Sequence, residues 1–140
     1  MRPALAAPLL ICALCAAAPG RAQDTSALKP LTAMEFDART VGRTITYSVS
    51  GQPYGVEQYL PGRRVLWAFT ESECKEGTWF QAGEQICFDY QDDSGLQCWT
   101  FFATDQGLSA KFQGDDAAEP LVSLNESPAP LACRGPDIGA

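Results

Sequence analysis

The sequence contains no histidine among its 140 residues. Histidine is the usual general base for a serine or cysteine nucleophile, the side chain that transfers protons near neutral pH, and a common ligand of zinc and haem iron. Its absence excludes Ser-His and Cys-His nucleophilic catalysis, together with histidine-ligated metal centres. We therefore expect no cofactor and no metal site.

Basic residues are also scarce, with 10 Lys and Arg against 17 Asp and Glu. Without the first 22 residues, which include Arg2 and Arg21, 8 basic and 17 acidic residues remain, giving a formal charge of −9. A surface this acidic repels nucleic-acid phosphates and anionic lipid headgroups, and it also favours solubility. We expect no nucleic-acid partner and no membrane insertion of the mature chain.

Long apolar runs are missing except at the N-terminus. Arg2 precedes an apolar segment over 5–18 that only Pro8 interrupts, and Gly20-Arg21-Ala22 places small residues where a signal peptidase requires them. The run is shorter than the roughly 20 residues that cross a bilayer. The pattern predicts a secretory signal peptide over 1–22.

Two cysteines in this run raise the alternative of a lipoprotein. Ile11 precedes Cys12 and Leu14 precedes Cys15, whereas a lipidation signal has a small residue at that place. Export without a lipid anchor is the interpretation that the sequence favours. We expect the protein to be periplasmic or secreted.

Turn signals punctuate the rest of the chain at short, even intervals. They recur about every 9 to 13 residues, as at Ser50-Gly51, Pro61-Gly62 and Asp92-Asp93-Ser94-Gly95. Such spacing is typical of antiparallel sheets in which neighbouring strands pair. The sequence predicts a mainly β fold, an up-and-down barrel or a sandwich of seven to eight strands. The strand candidates are 44–49, 54–60, 65–70, 78–81, 85–91, 96–103, 108–112 and 121–124.

A single short helix is predicted over 32–41, before the first strand. Thr32 is its N-cap, Glu35 is the capping-box partner, and Gly42 can take the left-handed conformation that ends a helix. The helix should pack on a sheet or plug one end of a barrel. Its expected buried face consists of Leu31, Met34, Ala38 and Val41.

The predicted mature chain of 118 residues is enough for one domain. A polar segment without periodicity over 23–30 predicts a flexible leader. The β domain is expected over 31–124, and a stretch rich in proline and glycine predicts an irregular tail over 125–140.

Four cysteines follow the signal peptide, and an even number in a small exported chain predicts disulfides. Four cysteines allow three pairings. A turn centred between Asp92 and Asp93 would place Cys87 directly across from Cys98, at a separation that a disulfide can close, whereas a register shift of one residue would separate them. The remaining pair, Cys74 with Cys133, would tie the tail to the barrel.

Aromatic residues are the first candidates for a binding site. The rings with polar atoms could orient a flat or apolar ligand inside a small barrel. The alternative is a barrel packed solid with its own rings, because eight-stranded barrels adopt both arrangements. The candidate ligand-lining residues are Tyr47, Trp67, Trp79, Tyr90 and Trp99.

Carboxylates form three clusters that could serve a hydrolase or bind calcium. All three lie in predicted turns, where solvated acids are expected, and none has the spacing of a calcium loop. We therefore expect no catalytic residues among them. The clusters are Glu71, Glu73 and Glu76; Asp92 and Asp93; and Asp115, Asp116 and Glu119.

Two short motifs carry a resemblance to known families. Gly77-Thr78-Trp79 is similar to the Gly-x-Trp of lipocalins, although here it follows three predicted strands instead of opening the barrel. The chain more closely resembles small exported bacterial β proteins classed as a domain of unknown function. It shares their helix ending in Gly-x-Thr, here Gly42-Arg43-Thr44, and their Gly-x-Trp strand followed by two cysteines, here Cys87 and Cys98. The resemblance implies a Cys87–Cys98 disulfide and no particular activity.

Three functional hypotheses follow from these patterns. The first is an exported soluble binding protein that holds a small apolar or aromatic molecule inside the barrel. The second is a protein-binding module or inhibitor that acts in the cell envelope. The third is a carboxylate-dependent hydrolase. The sequence favours a binding protein over an enzyme.

Overall fold

The structure, a computed structural model, describes residues 28–69 and 73–133. The predicted signal peptide, leader residues 23–27, Glu71 and tail residues 134–140 lie outside the described residues. Within those ranges, no helix is both long and apolar enough to cross a membrane.

Eight strands and one helix make up the described chain, and every sheet pairing is antiparallel. Each strand pairs with its neighbours in sequence, and the first strand also pairs with the last, so the sheet closes into a barrel. The predicted mainly β, up-and-down barrel is confirmed, and the sandwich alternative is wrong. The elements are α1 (Ala33–Thr40), β1 (Thr44–Val49), β2 (Gln52–Leu60), β3 (Arg64–Ala68), β4 (Lys75–Ala82), β5 (Gln85–Asp89), β6 (Gln97–Thr104), β7 (Gly107–Phe112) and β8 (Leu121–Ser127).

The helix covers one end of the barrel, which we call the closed end. The backbone N–H of Leu31 donates to the carbonyl of Phe101 at 2.8 Å, and that of Gly42 donates to the carbonyl of Tyr59 at 2.9 Å. Phe36 projects from the helix, is fully buried, and has its ring centroid 4.5–6.3 Å from those of four other rings. These rings fill this half of the interior, and they belong to Tyr59, Trp79, Phe88 and Phe101.

The predicted capping box of this helix is present, but its predicted buried face is wrong. Thr32 and Glu35 exchange both hydrogen bonds of the box. The buried residues are Ala33, Phe36 and Thr40, whereas Met34 is 79% exposed and Val41 is 39% exposed. The short helix lies over a barrel end, so a single large side chain that fits the opening determines which face is buried.

Both disulfides pair as predicted, Cys87 with Cys98 and Cys74 with Cys133. The predicted register is also confirmed, because Cys87 lies opposite Cys98 and Ile86 lies opposite Trp99. The turn residues therefore position this hairpin, and its inward-facing rings follow from the alternation of side chains along a strand.

The tail begins later than predicted. Residues 125–127 continue β8, where Asn125 pairs with Thr46 and Ser127 pairs with Thr44. The carboxylate of Glu126 also binds Arg39, with an N–O distance of 2.6 Å. These contacts supply the ladder that closes the barrel, and closure outweighs the local preference of a polar segment for an irregular conformation.

Candidate functional site

The opposite, open end of the barrel contains a cavity of about 240 Å3. The connections β1–β2, β5–β6 and β7–β8 surround its mouth, together with the described residues of the β3–β4 connection. Its floor is formed by the rings of Phe88 and Phe101, which also contact Phe36 at the closed end. The other lining residues are Tyr47, Tyr54, Glu57, Trp67, Phe69, Lys75, Tyr90, Ser94, Gln97, Trp99 and Leu121. The barrel is filled in one half and hollow in the other.

Four of the five predicted ligand-lining residues line this cavity, namely Tyr47, Trp67, Tyr90 and Trp99. Trp79 does not. It is 3% exposed at the closed end, where its ring contacts Phe36 and lies 4.9 Å below the guanidinium carbon of Arg63. It points inward as predicted, but it lies at a level of the barrel that the helix side chain fills.

A glycine makes room for one wall of the cavity. A Cβ atom on Gly55 would lie 2.3 Å from two ring carbons of Trp67. The indole therefore lies directly over the backbone of β2. No other residue type at position 55 leaves the ring in this place.

We expect Gly55→Ala to destabilise the fold by about 1–3 kcal/mol, the usual cost of overpacking a core. The change should also shift the tryptophan emission as the indole moves. Urea denaturation followed by fluorescence measures both effects. Gly55→Ala/Trp67→Phe should recover most of the lost stability, and no recovery in this double variant would contradict the contact.

A buried carboxyl group lies in the cavity wall. Glu57 projects inward from β2 and is 4% exposed. Its Oε1 accepts a hydrogen bond from the Tyr90 hydroxyl at 2.7 Å, and its Oε2 accepts one from the Tyr59 hydroxyl at 3.5 Å. The Tyr59 hydroxyl lies 2.8 Å from that of Tyr47. Three tyrosines thus form one hydrogen-bonded network around one acid.

No described basic side chain forms an ion pair with Glu57. Burial raises the pKa of Glu57 to about 8, even though the hydrogen bonds from Tyr90 and Tyr59 lower it. Transfer of an unpaired carboxylate out of water is costly, so the group holds its proton near neutral pH. The cavity wall therefore contains an acid that ionises close to physiological pH.

The sequence patterns missed Glu57. On β2 the even-numbered positions include Val56 and Leu60, which suggest an inward face, whereas the odd-numbered face contains Gly55, Glu57 and Tyr59. The structure buries the odd-numbered face. The bulk of Tyr59 and the lack of a side chain at Gly55 are the available signals, and both depend on knowing what lies across the barrel.

The acidic clusters that the sequence singled out lie on the surface. Glu73, Glu76, Asp92, Asp93, Asp115, Asp116 and Glu119 are all exposed. Glu57 is the one buried carboxyl group of the described ranges. Across these same residues, no group of acidic or cysteine side chains is arranged to hold a metal ion.

The open end is strongly acidic. Its connections contain six exposed carboxylates and, in their described parts, no lysine or arginine. Lys75, at the start of β4, lines the cavity, and its ammonium group forms an ion pair with Asp92. Hydrogen bonds from Lys75 and Ser94 lower the pKa of Asp92 to about 2. The six residues are Glu73, Asp92, Asp93, Asp115, Asp116 and Glu119.

Comparisons of the chain with protein-family models, curated proteins and solved structures gave no match.

Proposed function

We propose that this is an exported binding protein that holds a small aromatic or apolar molecule in the open half of its barrel. The observation that carries the proposal is the cavity of about 240 Å3 lined by the rings of Tyr47, Trp67, Tyr90 and Trp99. Ligand sites are typically concave and mostly apolar, with a few polar groups that fix orientation. The two disulfides support export to an oxidising compartment.

The dimensions of the cavity favour a small ligand. An apolar cavity of roughly 150 Å3 accommodates benzene, whereas drug-sized ligands occupy pockets of about 300–1,000 Å3. A cavity of about 240 Å3 suits one substituted ring. The aromatic side chains that line the cavity favour an aromatic ligand, because offset and edge-to-face ring contacts add to the free energy gained by burying apolar surface.

A neutral probe tests the proposal. tert-Butylbenzene should quench or shift the emission of Trp67 and Trp99 in a saturable way, since both indoles line the cavity. Leu121, at 7% exposure, also lines it. Leu121→Trp should fill the space and weaken binding by about tenfold or more, equivalent to about 1.4 kcal/mol.

The matched control is Leu124→Trp, the same change on the same strand at a residue that is 53% exposed. This control should bind tert-butylbenzene like the unmodified protein. Absence of saturable binding, or equal weakening in the two variants, would contradict a ligand site inside the barrel. Native mass spectrometry after exposure to envelope extract would identify the natural ligand.

A protein-binding role is the second candidate, favoured by exposed rings at the mouth. Tyr54 and Phe69 are 42% and 46% exposed, and each contacts the ring of Trp67. Exposed aromatic residues are common at the centres of protein interfaces. Pull-down from envelope fractions should lose its partner in a Tyr54→Ser/Phe69→Ser variant. It should retain the partner in the Leu121→Trp variant, which fills the cavity and keeps both exposed rings.

The hydrolase hypothesis has less support. Glycoside cleavage by two acids needs a pair of carboxyl groups separated by roughly 5–10 Å across one cleft. Glu57 is the one carboxyl group among the described residues that line the cavity.

A further inference from the structure

We infer that the ligand is a cation, a small ring-bearing amine or quaternary ammonium compound whose positive charge lies against the carboxylate of Glu57. This inference rests on the proposed function and deepens it by naming the ligand class. Three independent features of the cavity carry it: the placement of the acid, the surrounding ring faces, and the charge of the mouth.

The first feature is an acid whose hydrogen bonds favour its carboxylate form and that has no counter-ion among the described side chains. Both oxygen atoms of Glu57 already accept hydrogen bonds from tyrosine hydroxyls, Oε1 from Tyr90 at 2.7 Å and Oε2 from Tyr59 at 3.5 Å. Donors of this kind favour the charged form. No described basic side chain forms an ion pair with the group. A cationic ligand would supply the missing charge.

The second feature is the wall of rings around the acid. Tyr47, Trp67, Tyr90 and Trp99 line the same cavity as Glu57. The faces of Trp and Tyr rings attract ammonium groups, and most strongly when the cation is desolvated. Rings and one carboxylate together are the chemistry that recognises an organic cation and rejects an anion.

The third feature is the negative electrostatic field at the mouth of the cavity. Six exposed carboxylates lie on the connections of the open end, and the described parts of those connections contain no basic residue. Lys75 and Lys111 form ion pairs with two of the six, Asp92 and Asp116, and the other four form no ion pair within the described residues. An acidic rim around a low-dielectric cleft concentrates cations and accelerates their association.

The pH dependence of cation binding is expected to come from Glu57. Tyr47 on β1, Tyr59 on β2 and Tyr90 beside β5 face the acid, and burial raises the pKa of each above its ordinary value. Asp92, whose pKa is about 2, stays ionised in neutral and basic solution. Tyr54 from β2 and Lys75 from β4 also line the cavity. Binding of a permanent cation therefore requires Glu57 to release its proton.

The test compares two probes of one shape, phenyltrimethylammonium and its neutral isostere tert-butylbenzene. At about pH 8.5, phenyltrimethylammonium should bind at least tenfold more tightly than tert-butylbenzene. Its affinity should rise roughly tenfold per unit below about pH 7.5 and level off above the pKa of Glu57. The affinity for tert-butylbenzene should rise little, if at all, over the same range. Titration calorimetry in buffers of different ionisation enthalpy should also show release of up to one proton with the cation alone.

Glu57→Gln keeps the shape of the side chain and removes its charge. This variant should lose both the preference for phenyltrimethylammonium over tert-butylbenzene and the pH dependence of cation binding. Glu84→Gln removes one exposed carboxylate from the β4–β5 turn, away from the mouth. It is the control for the loss of one negative charge and should retain both properties.

The outcomes separate the two proposals. Binding of tert-butylbenzene with equal or weaker binding of phenyltrimethylammonium at about pH 8.5 overturns the cation inference alone. Cation affinity that is unchanged in Glu57→Gln also overturns it, because the rings or the acidic rim would then account for binding. Failure of both probes to bind overturns the inference and the cavity proposal together.

Discussion

Glu57→Gln is expected to remove most of the pH dependence of stability between about pH 4.5 and pH 8. The pKa of Glu57 is raised from 4.5 to about 8 in the folded state. Between these values the folded protein binds more protons than the unfolded chain, so its stability falls as the pH rises. A pKa difference of about 3.5 units at about 1.4 kcal/mol per unit lowers the free energy of unfolding by on the order of 5 kcal/mol.

Urea denaturation at about pH 5, 7 and 9 measures this effect. The variant should match the unmodified protein in acid and exceed its stability at the highest pH. Carboxyl groups with a lowered pKa, such as Glu126 beside Arg39, lose their stabilising effect only at lower pH. Glu84→Gln, at an exposed turn, is the matched control and should retain the full dependence. Parallel curves for all three proteins would mean that Glu57 does not keep its proton in the fold.

Phe36→Ala is expected to lower the free energy of unfolding by about 3–5 kcal/mol, the usual loss when a buried phenylalanine is truncated. The side chain is fully buried and contacts four rings at the closed end. The change would leave a hole beneath the cavity and remove the contact that holds the helix to the barrel.

The control on the same helix is Met34→Ala, because Met34 is 79% exposed. The free energy of unfolding of this variant should lie within about 0.5 kcal/mol of that of the unmodified protein. Thermal or urea unfolding distinguishes the two variants. A larger loss at Met34 than at Phe36 would restore the helix face that the sequence pattern suggested and would contradict the observed docking of the helix.

The parts of the fold that depend on local chemistry could be predicted from the sequence. Thr32 and Glu35 define the helix start because both partners of the capping box lie within one turn. Asp92 and Asp93 centre the turn that places Cys87 opposite Cys98. The alternation of side chains along β5 then places the ring of Phe88 inside the barrel.

The parts of the fold that depend on closure of the barrel could not be predicted from the sequence. The buried helix face follows from the shape of the barrel end that receives Phe36, and the inward face of β2 follows from the strands on either side of it. Val56 and Leu60 are apolar but lie on the outer face of β2, whereas the ionisable Glu57 lies inside. Hydroxyl donors from Tyr90 and Tyr59 offset part of the cost of burying Glu57, and Tyr90 is distant in sequence.

The same limit applies to the level of the barrel at which each ring lies. Trp79 and Trp99 both point inward, but one lies against Phe36 and the other lines the cavity. Periodicity gives the face of a strand and not the depth along the barrel axis. The question of a filled or a hollow barrel could therefore be decided only from the structure.

The most direct measurement is a crystal structure of the protein equilibrated with tert-butylbenzene. Electron density for the probe is expected between the rings of Trp67, Tyr90 and Trp99, with the carboxyl group of Glu57 in the wall and Phe36 below the floor. An interior in which those rings have moved together, leaving no space and no probe, would contradict the account.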